Sequence, residues 1–375
     1  MTAPSVLLVH EFRGIFGGAE RYLELLGRGL VDGGARVSAL VFLDDREPLR
    51  SVVERMEGIV PGAEVVIGRS RPGPLRAAIR ASSPEVLHWN FVEPYAFRGA
   101  SWLLLPWGRP SVITDHLPQL HHAGPHWETT RRLANHRIAA MIVVGAAARR
   151  AAAKRWRRPP PLVEVANGVP PYPGATPRAQ RDGAPVRLLF VGRLAEQKGA
   201  ALLVPILDAV RAAGREATLT VVGAGPLEPS LRAQAAGSTS RDHITFTGFA
   251  EDPLAVMADA DLLVAPSRFE GLPFTPLEAL STGLPVVLSA IGPHLELAME
   301  TGGRGVTVVE GDEPAAWADA VLAVASDLGG ASEDALDRAR RHSDAAMVDR
   351  TLDVYRAVLT GSIDALPAPN GSGRA

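Results

Sequence analysis

Short apolar runs recur along this chain, each separated from the next by a stretch long enough for a helix, and they fall into two series. The first is Val6–Val9, Val37–Phe42, Glu64–Ile67, Val86–Trp89, Ser111–Thr114, Met141–Val144 and Leu162–Val165. The second is Val186–Val191, Leu219–Val222, Ile244–Phe246, Leu262–Ala265, Val286–Ser289 and Val306–Val309. Strands that alternate with helices require crossover connections, which give parallel sheets covered on both faces. Between the series lies Pro170-Pro171-Tyr172-Pro173-Gly174-Ala175-Thr176-Pro177, continuing to Gly183-Ala184-Pro185, a composition that reads as a linker.

The expected fold class is therefore α/β, with two Rossmann-like, doubly wound parallel-sheet domains facing each other across a cleft. The chain's 375 residues are long for one core and natural for two. The expected bounds are 1–175 and 176–344, a terminal helix over 345–362, and a disordered Pro/Gly/Ser-rich tail over 363–375. Within the last helix, from Ala345 to Leu359, the apolar positions are Met347, Leu352, Tyr355 and Leu359. Zero cysteines exclude disulfides and thiolate metal sites. A net charge of −2 gives no general attraction to nucleic acid. The start has neither a basic n-region nor a long apolar run, and no run reaches transmembrane length, so a cytoplasmic protein is expected.

The chemistry concentrates in Ser267-Arg268-Phe269-Glu270-Gly271-Leu272-Pro273-Phe274-Thr275-Pro276-Leu277-Glu278-Ala279, behind the buried run Leu262–Ala265. A strand feeding a loop and a helix start is where open α/β sheets bind ligands. Helix-end amides suit an anion, and Glu270 and Glu278 can accept hydrogen bonds from sugar hydroxyls, so the segment suggests a nucleotide-sugar site. Thr275-Pro276-Leu277-Glu278 also reads as a capping box with Thr275 as N-cap, which would account for Glu278 but not for Glu270.

Other strand ends carry weaker signals. Gly192-Arg193-Leu194-Ala195-Glu196-Gln197-Lys198-Gly199 places two cations where they could neutralise a diphosphate, Arg193 as a fork and Lys198 as a point charge. Gly17-Gly18-Ala19-Glu20-Arg21 offers either a close backbone approach or an ordinary loop. Gly223-Ala224-Gly225-Pro226-Leu227 fits loop packing and ligand contact about equally, and Phe246-Thr247-Gly248-Phe249-Ala250 could hold a base or be core and turn. His116, after Ser111–Thr114, could act as acid, base or hydrogen-bond donor. His121, His122 and His126 follow it at spacings that match no standard zinc pattern. His88, Trp89 and Asn90 end a strand on the acceptor side, where Trp89 could stack on a sugar or fill the core. Arg149, Arg150, Lys154, Arg155, Arg157 and Arg158 form either a solvated helix end or a face for anionic lipid at the inner membrane surface.

In this order the segments resemble the retaining glycosyltransferases of family 4, which have the GT-B fold. The resemblance rests on Gly192-Arg193 with Lys198-Gly199, Gly223-Ala224-Gly225-Pro226-Leu227, Phe246-Thr247-Gly248, Glu270-Gly271-Leu272-Pro273 with Glu278-Ala279, and Gly283-Leu284-Pro285-Val286. Asn167-Gly168-Val169 looks like the family's interdomain segment. It implies that Arg193 and Lys198 bind the donor diphosphate, with Gly17 and Gly18 near the phosphates and Gly225 in the donor site. Glu270 and Gly271 would lie by the donor sugar, the amides of Phe274 and Thr275 by the phosphates, Glu278 on the ribose, and Phe249 and Ala250 by the base. His116 would stand near the reacting sugar, no metal or other cofactor is expected, and the last helix would return to the N-terminal domain. Pro273 stands where many members have glycine, and Gly145 where many have serine.

The implied reaction moves a sugar from a nucleoside-diphosphate sugar, UDP- or GDP-linked, to a hydroxyl of a glycan, lipid-linked or small-molecule acceptor. The alternatives are a nucleotide-sugar epimerase or a sugar phosphorylase on the same fold, and a non-catalytic sugar-nucleotide binder.

Overall fold

The computed structural model describes residues 3–12, 16–43, 54, 57, 58, 60, 63–67, 72–91, 107–117, 135–155, 159–179, 183–250, 252–299 and 304–366. The chain divides into two compact units, one formed by residues up to Gly168 together with those from Asp344 onward, the other by Val169–Ser343.

The first unit is built on β1 (Ser5–Phe12), β2 (Arg36–Leu43), β3 (Glu64–Ile67), β4 (Val86–Phe91), β5 (Ser111–Asp115), β6 (Ile138–Val143) and β7 (Leu162–Glu164). They form one sheet in the order β3-β2-β1-β4-β5-β6-β7, and every pairing is parallel. β1 reads Ser-Val-Leu-Leu-Val-His-Glu-Phe and is buried almost throughout, as a strand covered on both faces must be. The chain leaves β1 for β2 on one side and returns to β4 on the other, so the sheet reverses direction at β1 and β4.

The helices of this unit are α1 (Gly18–Asp32), α2 (Pro72–Ser82), α3 (Ala146–Arg155) and the terminal helix, described last. α1 buries Ala19, Tyr22, Leu23, Leu26 and Leu30 at helical spacing and stops at Gly33-Gly34, where Gly34 takes a φ of 79°. On α3, Ala148 and Ala152 are buried and Arg149, Arg150 and Lys154 are exposed; the Arg155 side chain, Trp156, Arg157 and Arg158 lie outside the described residues.

The second unit holds β8 (Val186–Val191), β9 (Ala217–Val222), β10 (Ile244–Gly248), β11 (Leu262–Ala265), β12 (Val286–Ser289) and β13 (Val306–Val309). Their order is β10-β9-β8-β11-β12-β13, again all parallel, with the reversal at β8 and β11. The helices are α4 (Leu203–Ala212), α5 (Glu228–Ala236), α6 (Pro253–Asp259), α7 (Phe274–Ser281), α8 (Gly292–Met299), α9 (Pro314–Ala325) and α10 (Leu328–Arg341). The core on one sheet face joins Phe190, Leu207, Val221 and Val264 to Trp317 and Val321 of α9.

The terminal helix, α11 (Asp344–Thr360), belongs to the first unit and packs along α1. Met347, Leu352 and Tyr355 are buried as expected, whereas Leu359 is 41% exposed because the helix outruns its packing surface in the last turn. The tail expected to be disordered begins with a 3₁₀ turn, Ile363–Ala365, and from 367 it lies outside the described residues.

The expected linker is not a loose tether. Arg178 fastens it to the second unit, donating from Nε to Ala260 O (2.7 Å), from Nη1 to Thr282 O (2.8 Å) and from Nη2 to Met257 O (2.7 Å). Its backbone amide also donates to Ser332 Oγ at 2.9 Å. Proline and glycine describe the backbone here, but one arginine that donates to several carbonyls decides how firmly it is held.

Candidate active site

In the second unit the reversal at β8 and β11 brings two loops together at the carboxyl ends of the strands, the place where open α/β sheets take ligands. The loop after β8 carries Arg193 and Lys198, and the loop after β11 carries Glu270. Backbone and side-chain bonds clamp them to each other: Arg268 N donates to Gln197 O (2.8 Å) and Gln197 Nε2 to Phe269 O (3.2 Å). Within that clamp Lys198 Nζ meets Glu270 Oε1 at 2.6 Å. The glutamate side chain is only 6% exposed and the lysine 21%, so the pair sits at the floor of the loops. Arg193, by contrast, is exposed.

Two glycines make this approach possible. Gly199 has a φ of 64°, and a side chain there would meet Pro266 O at 1.9 Å. Gly223 has a φ of 131°, and a Cβ on it would fall 2.0 Å from Gly192 O. Gly225 is packed as tightly, with a Cβ landing 2.3 Å from Leu194 O. For Gly223 and Gly225 the packing reading therefore suffices: they let the β9 loop lie directly on the loop that carries Arg193, where Leu194 N donates to Ala224 O (3.0 Å).

The capping box at Thr275 does not form. α7 begins at Phe274, Pro273 occupies the N-cap with φ −74° and ψ 138°, and no side chain caps the helix. The fixed φ of Pro273 lets the helix open one residue earlier than the Thr-Pro-Leu-Glu pattern suggests. Phe274 and Thr275 become the first two helical residues, whose amides lack intrahelical acceptors. Pro276 is third and has no amide to leave unsatisfied. Glu278 therefore lies past the third helical position and stands half-buried within the helix. Gly271 is buried beside Glu270. Phe249 stands 68% exposed after β10 with Ala250 beside it, while Phe246 is partly buried against the core and carries Arg232 over its ring at 4.6 Å.

The sequence reading passed over His294, at the start of α8. Its Nδ1 donates to Ser289 O at 2.9 Å, and Ser289 Oγ donates to Ser267 O at the head of the Glu270 loop. Burial pushes His294 down to about 4; the Ser289 carbonyl and Glu270 act against that and Lys198 adds to it. The ring is neutral, and its buried Nε2 has no hydrogen-bond partner among the described residues. The only sequence signal was a polar residue in Gly292-Pro293-His294, directly after a strand of the C-terminal sheet.

In the first unit a buried polar network gathers at the carboxyl ends of β1, β4 and β5. His10 faces Asn90 O at 2.8 Å through Nδ1 and Glu20 Oε1 at 3.0 Å through Nε2. Glu20 Oε2 accepts the Gly17 amide at 2.8 Å, which fixes the Gly17-Gly18 turn at the head of α1. Burial works to raise the Glu20 pKa, yet the hydrogen bond and charge of His10 and the Gly17 amide hold it below the ordinary value. Asn90 Nδ2 donates to Ala19 O (2.8 Å), and Asn90 Oδ1 meets His116 Nε2 at 2.6 Å. The Tyr22 ring lies edge-on to His116 with centroids 4.8 Å apart.

Burial, with a smaller push from His10, drives His116 down to about 3. It is thus neutral near pH 7 and suited to hydrogen bonding. Trp89 is fully buried in the core with Leu7, Leu40 and Ile113, and His88 is fully buried between Thr114 and Tyr355. Neither lines a surface, because β4 is an interior strand with both faces covered. Of the three acceptor-side candidates, Asn90 meets another candidate site residue, His116. His121, His122 and His126 lie outside the described residues. Among the described residues no helix is long and apolar enough to cross a membrane.

Residues 16–171 match the model of Glycosyltransferase Family 4, and residues 185–327 match that of Glycosyl transferases group 1. The chain is 37% identical to the 2-deoxystreptamine glucosyltransferase of Streptomyces kanamyceticus over 114 residues, 30% of this chain and 29% of that one. It is 29% identical to the D-inositol 3-phosphate glycosyltransferase of Corynebacterium efficiens over 222 residues, 54% of this chain and 51% of that one. The chain thus spans about half the length, or less, of these curated relatives. In fold it is similar to Anabaena HepE, solved in complex with UDP and glucose, with a TM-score of 0.76 at 19% identity, covering 94% of this chain and 100% of that one. The lipopolysaccharide outer core galactosyltransferase WaaB gives 0.68 at 17% identity, covering 95% and 99%. With two parallel-sheet domains of GT-B type and both family models matched in order, the chain belongs to glycosyltransferase family 4, the group 1 glycosyl transferases.

Proposed function

We propose that this protein is a retaining glycosyltransferase that transfers a hexose from a nucleoside-diphosphate sugar to a hydroxyl acceptor, without a metal. The observation that carries the reading is the Lys198–Glu270 contact at 2.6 Å, on a loop that also carries the exposed Arg193, at the point where the second sheet reverses. A cation and a carboxylate held together there offer a charge for a phosphate and an acceptor for a sugar hydroxyl within one small space. HepE has also been solved in complex with UDP-glucose, which makes UDP the first nucleotide to try; GDP is the second, because a relative from Mycobacterium tuberculosis is a GDP-mannose-dependent mannosyltransferase.

In this reading Arg193, Lys198 and the Phe274 and Thr275 amides stabilise the charge that develops on the leaving diphosphate. Glu270 orients the sugar through its hydroxyls and favours positive character at the anomeric carbon. Glu278 holds the ribose. The acceptor hydroxyl attacks from the face the diphosphate leaves and gives its proton to the departing phosphate oxygen, so configuration is retained without a protein nucleophile.

The test is a panel of UDP- and GDP-sugars incubated with the pure protein, with binding and slow donor hydrolysis measured beside Glu270→Gln. Binding of one donor, and hydrolysis that the variant loses, supports the reading. A protein that binds no nucleotide sugar refutes it.

A further inference from the structure

In the second sheet β11 lies between β8 and β12, and the loop that follows it, which presents Glu270, is held from both sides. On the β8 side the hold consists of Arg268 N on Gln197 O, Gln197 Nε2 on Phe269 O and Lys198 on Glu270. On the β12 side the Ser289 hydroxyl donates to Ser267 O, at the head of the loop. Ser267 is 3% exposed, so water competes little for that bond.

The protonation of His294, which faces Ser289, can be deduced. Ser289 spends its one hydroxyl hydrogen on the Ser267 carbonyl, so Oγ, 3.4 Å from His294 Nδ1, is left only to accept. Ser289 O, 2.9 Å from Nδ1, is a carbonyl and can do nothing else. Nδ1 must therefore carry the proton, and in the neutral ring Nε2 holds the lone pair. A proton on Nδ1 repels the hydroxyl hydrogen and leaves Ser267 O as its target. Ser289 O also accepts the Ile291 amide at 2.8 Å, which closes the turn from β12 into α8 around the serine. Since Nε2 has no hydrogen-bond partner among the described residues, the working half of the ring is Nδ1–H.

We propose that His294 is a positioning residue: through Nδ1–H it keeps the Ser289 hydroxyl turned to Ser267 O, and so holds the loop that presents Glu270 from the β12 side. The consequence for turnover rests on the function proposed above, in which Glu270 orients the donor sugar; the hold on the loop does not. Every group in the chain of contacts belongs to the second unit. The ring is fully buried, and the charges of both Glu270 and Lys198 reach it. The β8 side holds the loop through three contacts, the β12 side through this serine hydroxyl, so a loosened Ser289 frees the head of the loop while Lys198 still holds Glu270.

The test combines spectroscopy, hydrogen exchange and kinetics on the full chain. Long-range ¹⁵N–¹H spectra, with His294→Gln to assign the signals, should show a protonated Nδ1 and a bare Nε2 between about pH 6 and 8. His294→Ala should speed amide exchange over residues 268–272 several-fold. It should also lower kcat for donor hydrolysis by about ten- to a hundredfold, with the Kd for UDP or GDP alone within about twofold. His294→Asn puts an amide N–H where Nδ1–H stands and discards Nε2, so it should restore both exchange and kcat to within about threefold of wild type. Ser289→Ala should act in the same direction as His294→Ala, and the double variant should be no worse than the worse single one. A wild-type ring protonated on Nε2 overturns the proposal. So does a His294→Ala protein whose loop exchange or kcat is unchanged, one whose nucleotide affinity falls as far as its kcat, or an Asn variant as impaired as the alanine. If His294→Ala fails to fold, a Ser289→Ala protein with wild-type exchange and kcat overturns it instead. A wild type that turns over no UDP- or GDP-sugar removes the consequence for turnover together with the function reading, while the spectra and the loop exchange still decide whether His294 holds the loop.

Discussion

Lys198 Nζ and Glu270 Oε1 stand 2.6 Å apart although 72 residues separate them in the chain. The contact joins the strand ends of β8 and β11, the two strands at which the second sheet changes direction. Each side chain offsets the other's charge, so in the function proposed above a diphosphate would compete with Glu270 for the lysine.

Lys198→Ala and Arg193→Ala should each lower kcat for transfer by about 10²–10³-fold, the usual loss when one stabiliser of a developing negative charge is removed. Lys198→Ala also leaves Glu270 without its partner and should weaken sugar recognition as well. Steady-state kinetics with the donor found in the panel is the check. Wild-type kcat and KM in Arg193→Ala would mean that the diphosphate binds elsewhere.

Gly225→Ala should harm both fold and site. The added methyl has no room, because the Leu194 backbone is 2.3 Å from it and backbone cannot turn aside as a side chain can. The loop carrying Arg193 must shift, at a cost of about 1–3 kcal/mol. Urea denaturation should show the loss, and titration with the nucleoside diphosphate should show weaker binding. Unchanged values of both would mean that the loops do not rest on each other as described.

Much of this molecule can be read from its residues. Each of the predicted strands is present, and Glu64–Ile67, Val186–Val191, Leu262–Ala265, Val286–Ser289 and Val306–Val309 agree to the residue. A buried parallel strand is a continuous apolar run with polar ends, so it is legible without tertiary knowledge. The failures came where distant residues decide. Thr275 looks like a cap until Pro273 takes the position, Trp89 reads as either a ligand platform or a core residue until β4 proves to be interior, and the linker looks free until Arg178 finds its carbonyls. His294 was missed because what distinguishes it, a buried nitrogen without a partner, is a property of packing rather than of spacing.

Tyr355→Phe should loosen the terminal helix from the first unit. The phenol meets His88 Nδ1 at 2.5 Å, and Thr114 Oγ1 occupies the other ring nitrogen at 2.7 Å. Without the hydroxyl, His88 keeps one buried nitrogen unpaired, which costs about 1–3 kcal/mol. The expected result is a lower denaturation midpoint with an unchanged slope, and faster hydrogen exchange in α11. Equal stability of the two proteins would show that the contact contributes nothing.

Acid should destabilise the protein well before its carboxylates are titrated. Burial holds His88 and His116 down to about 3 and His294 to about 4, against an ordinary value of 6.5. Above pH 6.5 these rings are neutral in both folded and unfolded chains, so they add no pH dependence. Below it the unfolded chain takes up protons that the folded one refuses, and stability falls as pH falls. Each ring can contribute up to about 1.4 kcal/mol per pH unit, from about pH 6 down to its own folded value. Denaturant melts between pH 7.5 and 4.5 should therefore show a flat region followed by a steep decline. His294→Gln, which is neutral at every pH, should make that decline shallower. A melt that stays flat down to pH 5, or a His294→Gln decline as steep as that of the wild type, would show that these rings are not buried in their neutral form.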